Sequence, residues 1–431
     1  MKPGMKAKMD VMIIGGGGRE HAIAERLARS PRIGKLCALP GNGGIAALAE
    51  CVPIPATDLD ALVAFARERA VDFAVVAPDD PLVMGLVDRL EAAGVRCFGP
   101  DARAAAIEGS KVYAKDLMRR YGIPTARYEV FDDADRALEY AAAGGPVVVK
   151  ADGLARGKGV VVAEDADQAG AAVAAIMRDR IFGASGDRVL IEERLSGPEV
   201  SVLAFTDGRT IVPMVSSMDH KRALDGDRGP NTGGMGVVAP NPYYTPEIAE
   251  RCMRTIFRPT VDALRAEGRP FRGCLYFGLM LTADGPKVIE YNCRFGDPEA
   301  QAVLPLLESD LFEIMLAVRE ERLEEAEVRF SPQASCCVVM ASEGYPGKVR
   351  EGMEIHIASG LPPDTVVYHS GTRRDGGTLR TAGGRVLSVT AVAPTAGEAR
   401  SRAYAGVGLI RFEGARFRRD IGATGGLSHG A

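Results

Sequence analysis

Lys287-Val288-Ile289-Glu290-Tyr291-Asn292-Cys293-Arg294-Phe295-Gly296-Asp297-Pro298-Glu299 places an acid, an amide and an arginine along a stretch whose apolar residues suit a sheet interior. Side chains alternate faces along a strand, so regular pairing puts Val288, Glu290 and Asn292 on one side and Ile289 and Tyr291 on the other. Two oxygen donors about 7 Å apart along the backbone suit a hard divalent cation whose remaining ligands are phosphate oxygens and water. Upstream, Cys274 to Thr282 reads as a strand and Ala283-Asp284-Gly285-Pro286 as a tight turn, which makes the quoted stretch the return strand of a hairpin. The same alternation also describes an edge strand with two polar residues facing water, and periodicity does not separate the two readings.

Outward from this hairpin the chain is long and compositionally ordinary. Its 431 residues predict two to four domains, and 46% hydrophobic with 26% charged residues is the balance of a soluble protein. A formal net charge of -4 gives no electrostatic reason to expect nucleic acid or an anionic membrane as partner. Apolar runs such as Val11 to Ile14 and Val147 to Val149 are far short of a membrane span, and Met1 to Lys8 is basic but lacks a signal-peptide core, so a cytoplasmic location is expected. The eight cysteines form no C-x-x-C pair and read as small core residues.

Between Val11 and Phe98 strand and helix patterns alternate: Val11 to Ile14, His21 to Arg29, Lys35 to Leu39, Leu59 to Arg69, Phe73 to Ala77, Pro81 to Ala93 and Val95 to Phe98. That order predicts a parallel sheet with helices on its faces. A helix from Ser110 to Tyr121 connects to Val147 to Lys150 and Gly159 to Ala163, strands that flank a glycine-rich loop, followed by a helix near Ala166 to Arg178 and a strand near Arg188 to Glu193. Strand-like alternation resumes from Val200 to Met214. Beyond Arg329 the strands Ala334 to Met340, Thr365 to His369 and Arg385 to Ala391, with a helix from Ala396 to Leu409, suggest a separate mixed domain.

Gly15-Gly16-Gly17-Gly18-Arg19-Glu20-His21 follows a strand and opens a helix, where backbone N–H groups and the helix dipole attract an anion. It is not a dinucleotide fingerprint: the third glycine position falls on Glu20 or His21, and the second strand runs into Pro40-Gly41-Asn42 rather than an acid. Gly153-Leu154-Ala155-Arg156-Gly157-Lys158-Gly159 is one residue short of a Walker A loop and lacks its Ser or Thr. With Lys150 on the preceding strand, it instead reads as a glycine-rich hairpin able to fold over a triphosphate, or as a solvated surface hairpin. The coincidence of a cationic strand, a glycine flap and a downstream Glu-x-Asn pair favours one nucleotide site. Asp219-His220-Lys221-Arg222 with Gly229-Pro230-Asn231-Thr232-Gly233-Gly234-Met235-Gly236 joins basic groups to four glycines in eight residues, suited to close backbone approach around an anionic substrate or to a flexible loop.

These motifs, with Glu-Gly-Ser-Lys at 108 to 111, Lys-Ala-Asp-Gly-Leu at 150 to 154, Arg-Phe-Gly-Asp-Pro-Glu at 294 to 299, Ala-Ser-Glu-Gly-Tyr-Pro-Gly at 341 to 347, Gly-Gly-Arg-Val-Leu at 383 to 387 and Arg-Arg-Asp-Ile-Gly at 418 to 422, closely resemble the phosphoribosylamine-glycine ligases over essentially the whole chain. The resemblance implies an α/β ATP-grasp fold: an N-terminal Rossmann-like parallel-sheet domain (9–109), an ATP-grasp domain (110–328) with a small mobile lid at about 125–195, a C-terminal mixed α+β domain (329–423) and a flexible tail (424–431). It implies ATP-dependent joining of glycine to 5-phosphoribosylamine through glycyl phosphate, with Mg2+ or Mn2+, in a cytoplasmic enzyme; the oligomeric state stays open, with a monomer favoured. Carried over by motif, Lys111, Lys150, Gly157, Lys158 and Gly159 contact ATP phosphates, Glu192, Glu193 and Leu195 line the adenine hinge, Glu199 takes the ribose hydroxyls, and Glu290 and Asn292 hold the metal. Gly15, Gly16, Gly17, Gly18, Glu20, Asp79, Asp219, Lys221, Asn231, Gly233, Gly234, Met235, Arg294 and Asp297 are expected around the other substrates, with Arg294, Lys150 and Asp219 closest to the chemistry.

The chain departs from the family's usual pattern at Ala77-Pro78-Asp79-Asp80-Pro81-Leu82, where relatives generally carry Glu at the position of Asp79, and at Pro40-Gly41-Asn42-Gly43-Gly44, where Ala is usual at 43. Two rivals remain on sequence: another ATP-grasp ligase sharing only the nucleotide site, and a nucleotide-binding subunit without turnover.

Overall fold

The computed structural model describes residues 8–155 and 159–423. The first unit is an all-parallel five-stranded sheet, ordered Glu50–Cys51, Ile33–Pro40, Met9–Gly15, Phe73–Val76, Arg96–Phe98. Met9, Val11 and Ile13 face one apolar cluster while Met12 and Ile14 face another, so this central strand is covered on both sides. Strand order reverses between Met9–Gly15 and Phe73–Val76. In an open parallel sheet the crevice beyond the carboxyl ends at such a reversal is where ligands bind. Here it is framed by the loop after Gly15 and by Ala77-Pro78-Asp79.

The expected helix from Pro81 to Ala93 is two helices, Asp79–Val83 and Leu86–Ala92, broken at Gly85, whose φ of 85° cannot continue an α-helix. A further helix, Ala102–Gly109, capped by the Asp101 side chain on the Ala104 N–H, was not anticipated. Ser110 caps the next helix, Lys111–Arg120, in the same way.

Next comes a four-stranded antiparallel sheet ordered Tyr128–Phe131, Val189–Glu193, Val147–Ala151, Val160–Ala163. Helices Ala134–Ala142 and Ala166–Val173, the latter extended by a π-turn over Ala174–Arg178, bury Val149, Ala151, Val189 and Ile191. Alternation therefore sends Lys150 and Glu192 to the opposite face.

A second antiparallel sheet, ordered Ile211–Pro213, Glu199–Asp207, Arg272–Thr282, Gly285–Asn292, contains the hairpin that carries Glu290 and Asn292. The expected sharing of a face by Val288, Glu290 and Asn292 is incorrect. Gly278 pairs with Glu290 but Leu279 pairs with Val288, leaving Ile289 as the extra residue of a β-bulge. The bulge resets the alternation. Val288 and Tyr291 both enter the core, whereas Glu290 and Asn292 stay together on the open side.

The last five-stranded sheet is ordered Met218–Asp219, Gly236–Ala239, Ala334–Ala341, Arg385–Ala393, Thr365–His369, with helix Ala396–Val407 against it. Two of its strands come from residues 218–239, so the C-terminal sheet is physically continuous with the Asp219 to Gly236 segment. Among the described residues, no helix is long and apolar enough to cross a membrane.

Candidate functional site

The first sheet-to-sheet cleft lies between the Lys150 face of the four-stranded sheet and the Gly285–Asn292 strand. Lys150 Nζ donates to the Ile289 carbonyl at 2.9 Å and pairs with Glu192 Oε2 at 3.0 Å. The bulge turns the Ile289 carbonyl toward Lys150 of the four-stranded sheet. Lys115, four residues beyond Lys111 on one helix face, also pairs with Glu192 Oε2, at 2.9 Å, and donates to Thr125 Oγ1 at 2.8 Å. Both ammonium groups and the carboxylate are buried. Burial pulls the Lys115 ammonium down to about 8, against the opposing pull of Glu192. Glu192 Oε1 is buried with no hydrogen-bond partner among the described residues, an acceptor left open in the cleft.

Glu193 instead faces outward and pairs with Arg127 at 2.8 Å. Leu195 lies in the short segment that runs from Val189–Glu193 of the four-stranded sheet to Glu199, where Pro198 accepts from the Leu281 N–H at 2.9 Å. A Cβ at Gly197 would stand 2.0 Å from the Leu281 carbonyl oxygen, which is why glycine occupies that crossing.

The root of the glycine flap is fixed to a helix N-terminus. Asp152 Oδ1 accepts from the Val112 N–H and from Ser110 Oγ, both at 2.9 Å, and Lys111 Nζ donates to the Gly153 carbonyl at 3.0 Å. Gly159 returns the chain, its carbonyl accepting from the Ala151 N–H at 2.8 Å. Gly157 and Lys158 lie outside the described residues.

On the facing strand, Lys221 Nζ is 3.6 Å from Glu290 Oε1 and 3.0 Å from Glu199 Oε2. Burial would raise the Glu290 carboxyl, but Lys221, Lys150, Lys111 and Arg294 together hold it below the usual carboxylate range. Asn292 Oδ1, beside it, accepts a long 3.4 Å contact from Arg294. An ionised carboxylate and an amide oxygen on one face are a donor set that fits a magnesium-type ion. Among the described residues no cluster of three His, Cys, Asp or Glu could hold a metal alone, so most ligands of such an ion would be phosphate oxygens and water.

Arg294 joins this strand to the crevice of the parallel sheet. It pairs with Glu108 at 3.1 Å, approaches Asp79 at 4.0 Å and donates to the Phe295 carbonyl at 3.2 Å. Glu108, fully buried and raised by that burial, also accepts from the Cys293 N–H at 2.7 Å. Asp79 goes the other way: burial would raise it, yet Arg294 and Arg19 outweigh burial and keep it ionised. The glycine loop is close by. Glu20, expected at the substrate, folds back over its own helix start and accepts from the Gly17 N–H at 2.5 Å and from Arg19 at 2.6 Å. Gly16 must be glycine because a Cβ there would be 2.3 Å from the Gly41 carbonyl oxygen.

Asp219 closes the far side. Its Oδ1 is buried without a hydrogen-bond partner among the described residues, and burial together with Glu299 raises its carboxyl well above the ordinary value. Gly234, at φ 105°, lets the chain pass it: a Cβ would meet Asp219 Oδ1 at 2.7 Å and Pro298 Cδ at 2.4 Å. Glu299 is held by Tyr276 at 3.1 Å, which also bonds Ser201 at 2.7 Å. Gly233 donates to the Tyr345 hydroxyl at 3.0 Å and accepts from Arg385, which also binds Asp297 at 3.3 Å. Met235 is different in kind: it packs in the C-terminal core, and Asn231 pairs across a hairpin with Arg222. Neither side chain is shown reaching toward Glu290.

Lys115, Glu108, Glu299, Tyr345 and Arg385 were not singled out on sequence. Glu108, Glu299, Tyr345 and Arg385 lie inside motifs quoted above, and Lys115 could have been found by its helical spacing from Lys111.

Three family profiles tile the chain: phosphoribosylglycinamide synthetase, N domain, at residues 9–108; its ATP-grasp (A) domain at 109–300; and its C domain at 335–424. Phosphoribosylamine--glycine ligase of Halalkalibacterium halodurans is 48% identical over 416 residues, covering 96% of this chain and 97% of the relative. The ligase of the same name from Allochromatium vinosum is 49% identical, with 96% and 98% covered. The crystal structure of phosphoribosylamine--glycine ligase from Thermotoga maritima superposes with a TM-score of 0.84 at 35% identity, covering 96% of this chain and all of that one. A biotin carboxylase from Campylobacter jejuni, at a TM-score of 0.74 and 14% identity over 96% of this chain and 94% of that one, shares the fold alone.

Proposed function

Because this chain belongs to the phosphoribosylglycinamide synthetase family, we propose that it joins glycine to 5-phosphoribosylamine at the expense of ATP, the second step of purine biosynthesis, with the residues around Glu290 as its centre. One observation carries the assignment of the site: Lys221 lies 3.6 Å from the Glu290 carboxylate, while Lys150 holds the neighbouring Ile289 carbonyl at 2.9 Å and Arg294 reaches Asn292 Oδ1 at 3.4 Å.

In this reading Lys111, Lys150 and the flap from Gly153 to Gly159 take the triphosphate, and Glu192 Oε1 accepts from the adenine amino group while Leu195 packs on the base. Glu199 takes the ribose hydroxyls. Glu290 and Asn292 would hold a divalent cation, Mg2+ or Mn2+, which when bound would supply neutralisation of phosphate charge during transfer. Glycine's ammonium group suits the buried Asp219 and Glu299 pair, which leaves its carboxylate free to face the cleft. A carboxylate oxygen of glycine attacks the γ-phosphorus and ADP departs, giving glycyl phosphate. The amine of phosphoribosylamine then attacks the acyl carbon, the oxyanion is stabilised by Arg294, phosphate leaves and the new amide loses a proton. Arg294 is fixed for that role by Glu108 and Asp79. The sugar phosphate takes the Gly15 to Gly18 loop at the strand-order reversal.

Asp79 stands where relatives usually carry Glu. Its tie to Arg294 is long, 4.0 Å, as a carboxylate shorter by one methylene group would give. The proposed domains are 9–109, 110–328 with a lid at about 125–195, and 329–423, with strands from 218–239 pairing into the sheet of the last; the tail at 424–431 lies outside the described residues.

The test is ADP release with MgATP and freshly prepared phosphoribosylamine, compared across glycine, alanine, formate and bicarbonate. Release with glycine alone is expected. Equal release with formate or bicarbonate would place the chain among other ATP-grasp ligases, and none with any acid would make it a binding subunit.

A further inference from the structure

The Arg-Arg-Asp-Ile-Gly motif at 418 to 422 has no part in the site as described, yet Arg418 is among the largest side chains wholly removed from solvent. Its guanidinium makes four hydrogen bonds. Nε and Nη2 fork onto the two oxygens of Asp420, each at 2.8 Å, while Nη1 donates to Asp227 Oδ1 at 2.9 Å and to the Arg222 carbonyl at 3.1 Å. Both of the Nη1 acceptors belong to a small two-stranded hairpin, Arg222–Leu224 with Arg228–Asn231.

Within itself that hairpin has only a short irregular ladder and two exposed side-chain bonds, Arg222 Nη1 to the Gly229 carbonyl at 2.9 Å and Arg228 Nε to the Asp225 carbonyl at 3.1 Å. None of residues 222–231 is buried, and Leu224 is 56% exposed. A two-stranded ribbon without an apolar face is at best marginally stable in water. What fastens it is the C-terminal motif: beyond the Arg418 bonds, the Gly226 N–H donates to Asp420 Oδ2 at 2.8 Å and the Arg419 N–H to Asp225 Oδ1 at 2.7 Å. The carbonyl that Arg418 grips belongs to the residue next to Lys221, whose ammonium lies between Glu199 and Glu290.

We propose that Arg418 is a positioning residue, which acts through the 222–231 hairpin to hold Lys221 against Glu290. Its consequence for turnover rests on the ligase reading above; its consequence for the hairpin does not. Lysine at 418 keeps the charge but loses the planar fork, so it cannot serve Asp420, Asp227 and the Arg222 carbonyl at once.

The experiment compares Arg418→Lys and Asp227→Asn with wild type in the full-length protein, with Arg400→Ala as control. Arg400 docks the same C-terminal segment through the Ile421 and Arg419 carbonyls but does not touch the hairpin. Expected for Arg418→Lys are amide hydrogen exchange across 220–236 at least tenfold faster, and a KM for glycine or phosphoribosylamine raised at least fivefold. Binding of a non-hydrolysable ATP analogue should stay within twofold. Asp227→Asn, at an exposed position, should do the same to a smaller degree, and Arg400→Ala should lower the melting temperature without moving KM. Unchanged exchange in both hairpin variants, or an equal KM rise in Arg400→Ala, overturns the proposal. If Arg418→Lys does not fold, Asp227→Asn decides by the same two readouts. If wild type shows no glycine-dependent ADP release, the ligase reading fails and the exchange comparison alone decides the latch.

Discussion

Replacing Glu290 by Gln keeps the shape of the side chain and removes one negative charge from a place surrounded by four positive ones. Coulomb's law at an effective dielectric constant of about 20 gives about 5 kcal/mol for the Lys221 to Glu290 contact at 3.6 Å. Taken at face value that would predict an unstable protein. Both side chains are about a third open to solvent, however, and pairs so exposed contribute at most about 1 kcal/mol once hydration and side-chain entropy are counted. Lys221 also retains Glu199 at 3.0 Å. The melting temperature of Glu290→Gln should therefore stay within a few degrees of wild type. Catalysis should not survive as well. In the proposed site Glu290 is one of two protein donors to the cation, so its loss would remove charge stabilisation at the transferring phosphoryl group, and kcat should fall at least about 100-fold, on the scale seen when a single stabilising donor is removed. Nucleotide binding without metal should be unchanged or tighter, because the pocket has become more positive by one charge. The assay is ADP release against Mg2+ and Mn2+ concentration, alongside calorimetric binding of an ATP analogue in chelator. Activity within threefold of wild type, or a melting temperature that collapses in step with activity, would refute the reasoning.

The remaining expectations are shorter. Burial, with His369 as neighbour, lowers His21 to about 3, and burial with Arg374 lowers His369 to about 4; the His369 N–H donates to His21 Nδ1 at 2.8 Å, a bond that needs that nitrogen unprotonated. Both folded values lie below the unfolded 6.5, so the unfolded chain binds more protons as pH falls through that window, and stability should decline by about 2 kcal/mol per histidine between pH 7 and 5. Urea midpoints at the two pH values test it, and His21→Gln should flatten the dependence. Gly16→Ala forces a Cβ to within 2.3 Å of the Gly41 carbonyl oxygen and should cost about 1 to 3 kcal/mol, with a raised KM for phosphoribosylamine; Gly18→Ala meets the movable ends of Gln301 and Ser370 and should cost less. Glu192→Gln strands two buried ammonium groups and should destabilise by about 3 kcal/mol or more, and adding Lys115→Met should recover part of the loss in thermal melts.

How much of this was legible in the sequence depends on whether a residue's role is set locally. The parallel sheet, the two strands that flank the glycine-rich loop and the hairpin of Cys274 to Asn292 are periodic or punctuated by glycine, and they appear where the pattern placed them. The break at Gly85 and the helix Ala102–Gly109 were missed because a left-handed glycine and an alanine-rich turn leave little periodic signal. The face assignment of Val288 was wrong for a different reason. A bulge is a property of register with a partner strand, and nothing within Lys287 to Asn292 announces that Ile289 will be skipped. Glu290 and Asn292 kept their common face only because both lie on the same side of the bulge. Glu20 shows the reverse case: its spacing at the helix start served a capping role as readily as a substrate role, and the side chain is folded onto Gly17.

The pairing of charges also explains how so cationic a pocket is compatible with a stable fold. Each positive group has a protein partner: Glu192 for Lys115 and Lys150, Glu199 and Glu290 for Lys221, Glu108 and Asp79 for Arg294, and the Gly153 carbonyl for Lys111. Leaving any of them buried and unpaired would cost several kcal/mol. The partners differ, though, in what a polyphosphate could displace. Lys115 and Lys150 share an oxygen in a closed, buried triad, whereas Lys221 lies between two carboxylates that are each about a third or more open to solvent. A triphosphate arriving at Lys150 adds oxygens around a cation that keeps its orientation; one arriving at Lys221 competes with Glu199 and Glu290 and can change which of them the ammonium favours. Preorganisation is therefore strongest around Lys115 and Lys150 and weakest around Lys221, the side proposed to activate the amino acid. Substitutions at Glu192 should act mainly on stability and nucleotide affinity, those at Glu199 on nucleotide affinity, and those at Lys221 mainly on the rate of glycine-dependent turnover.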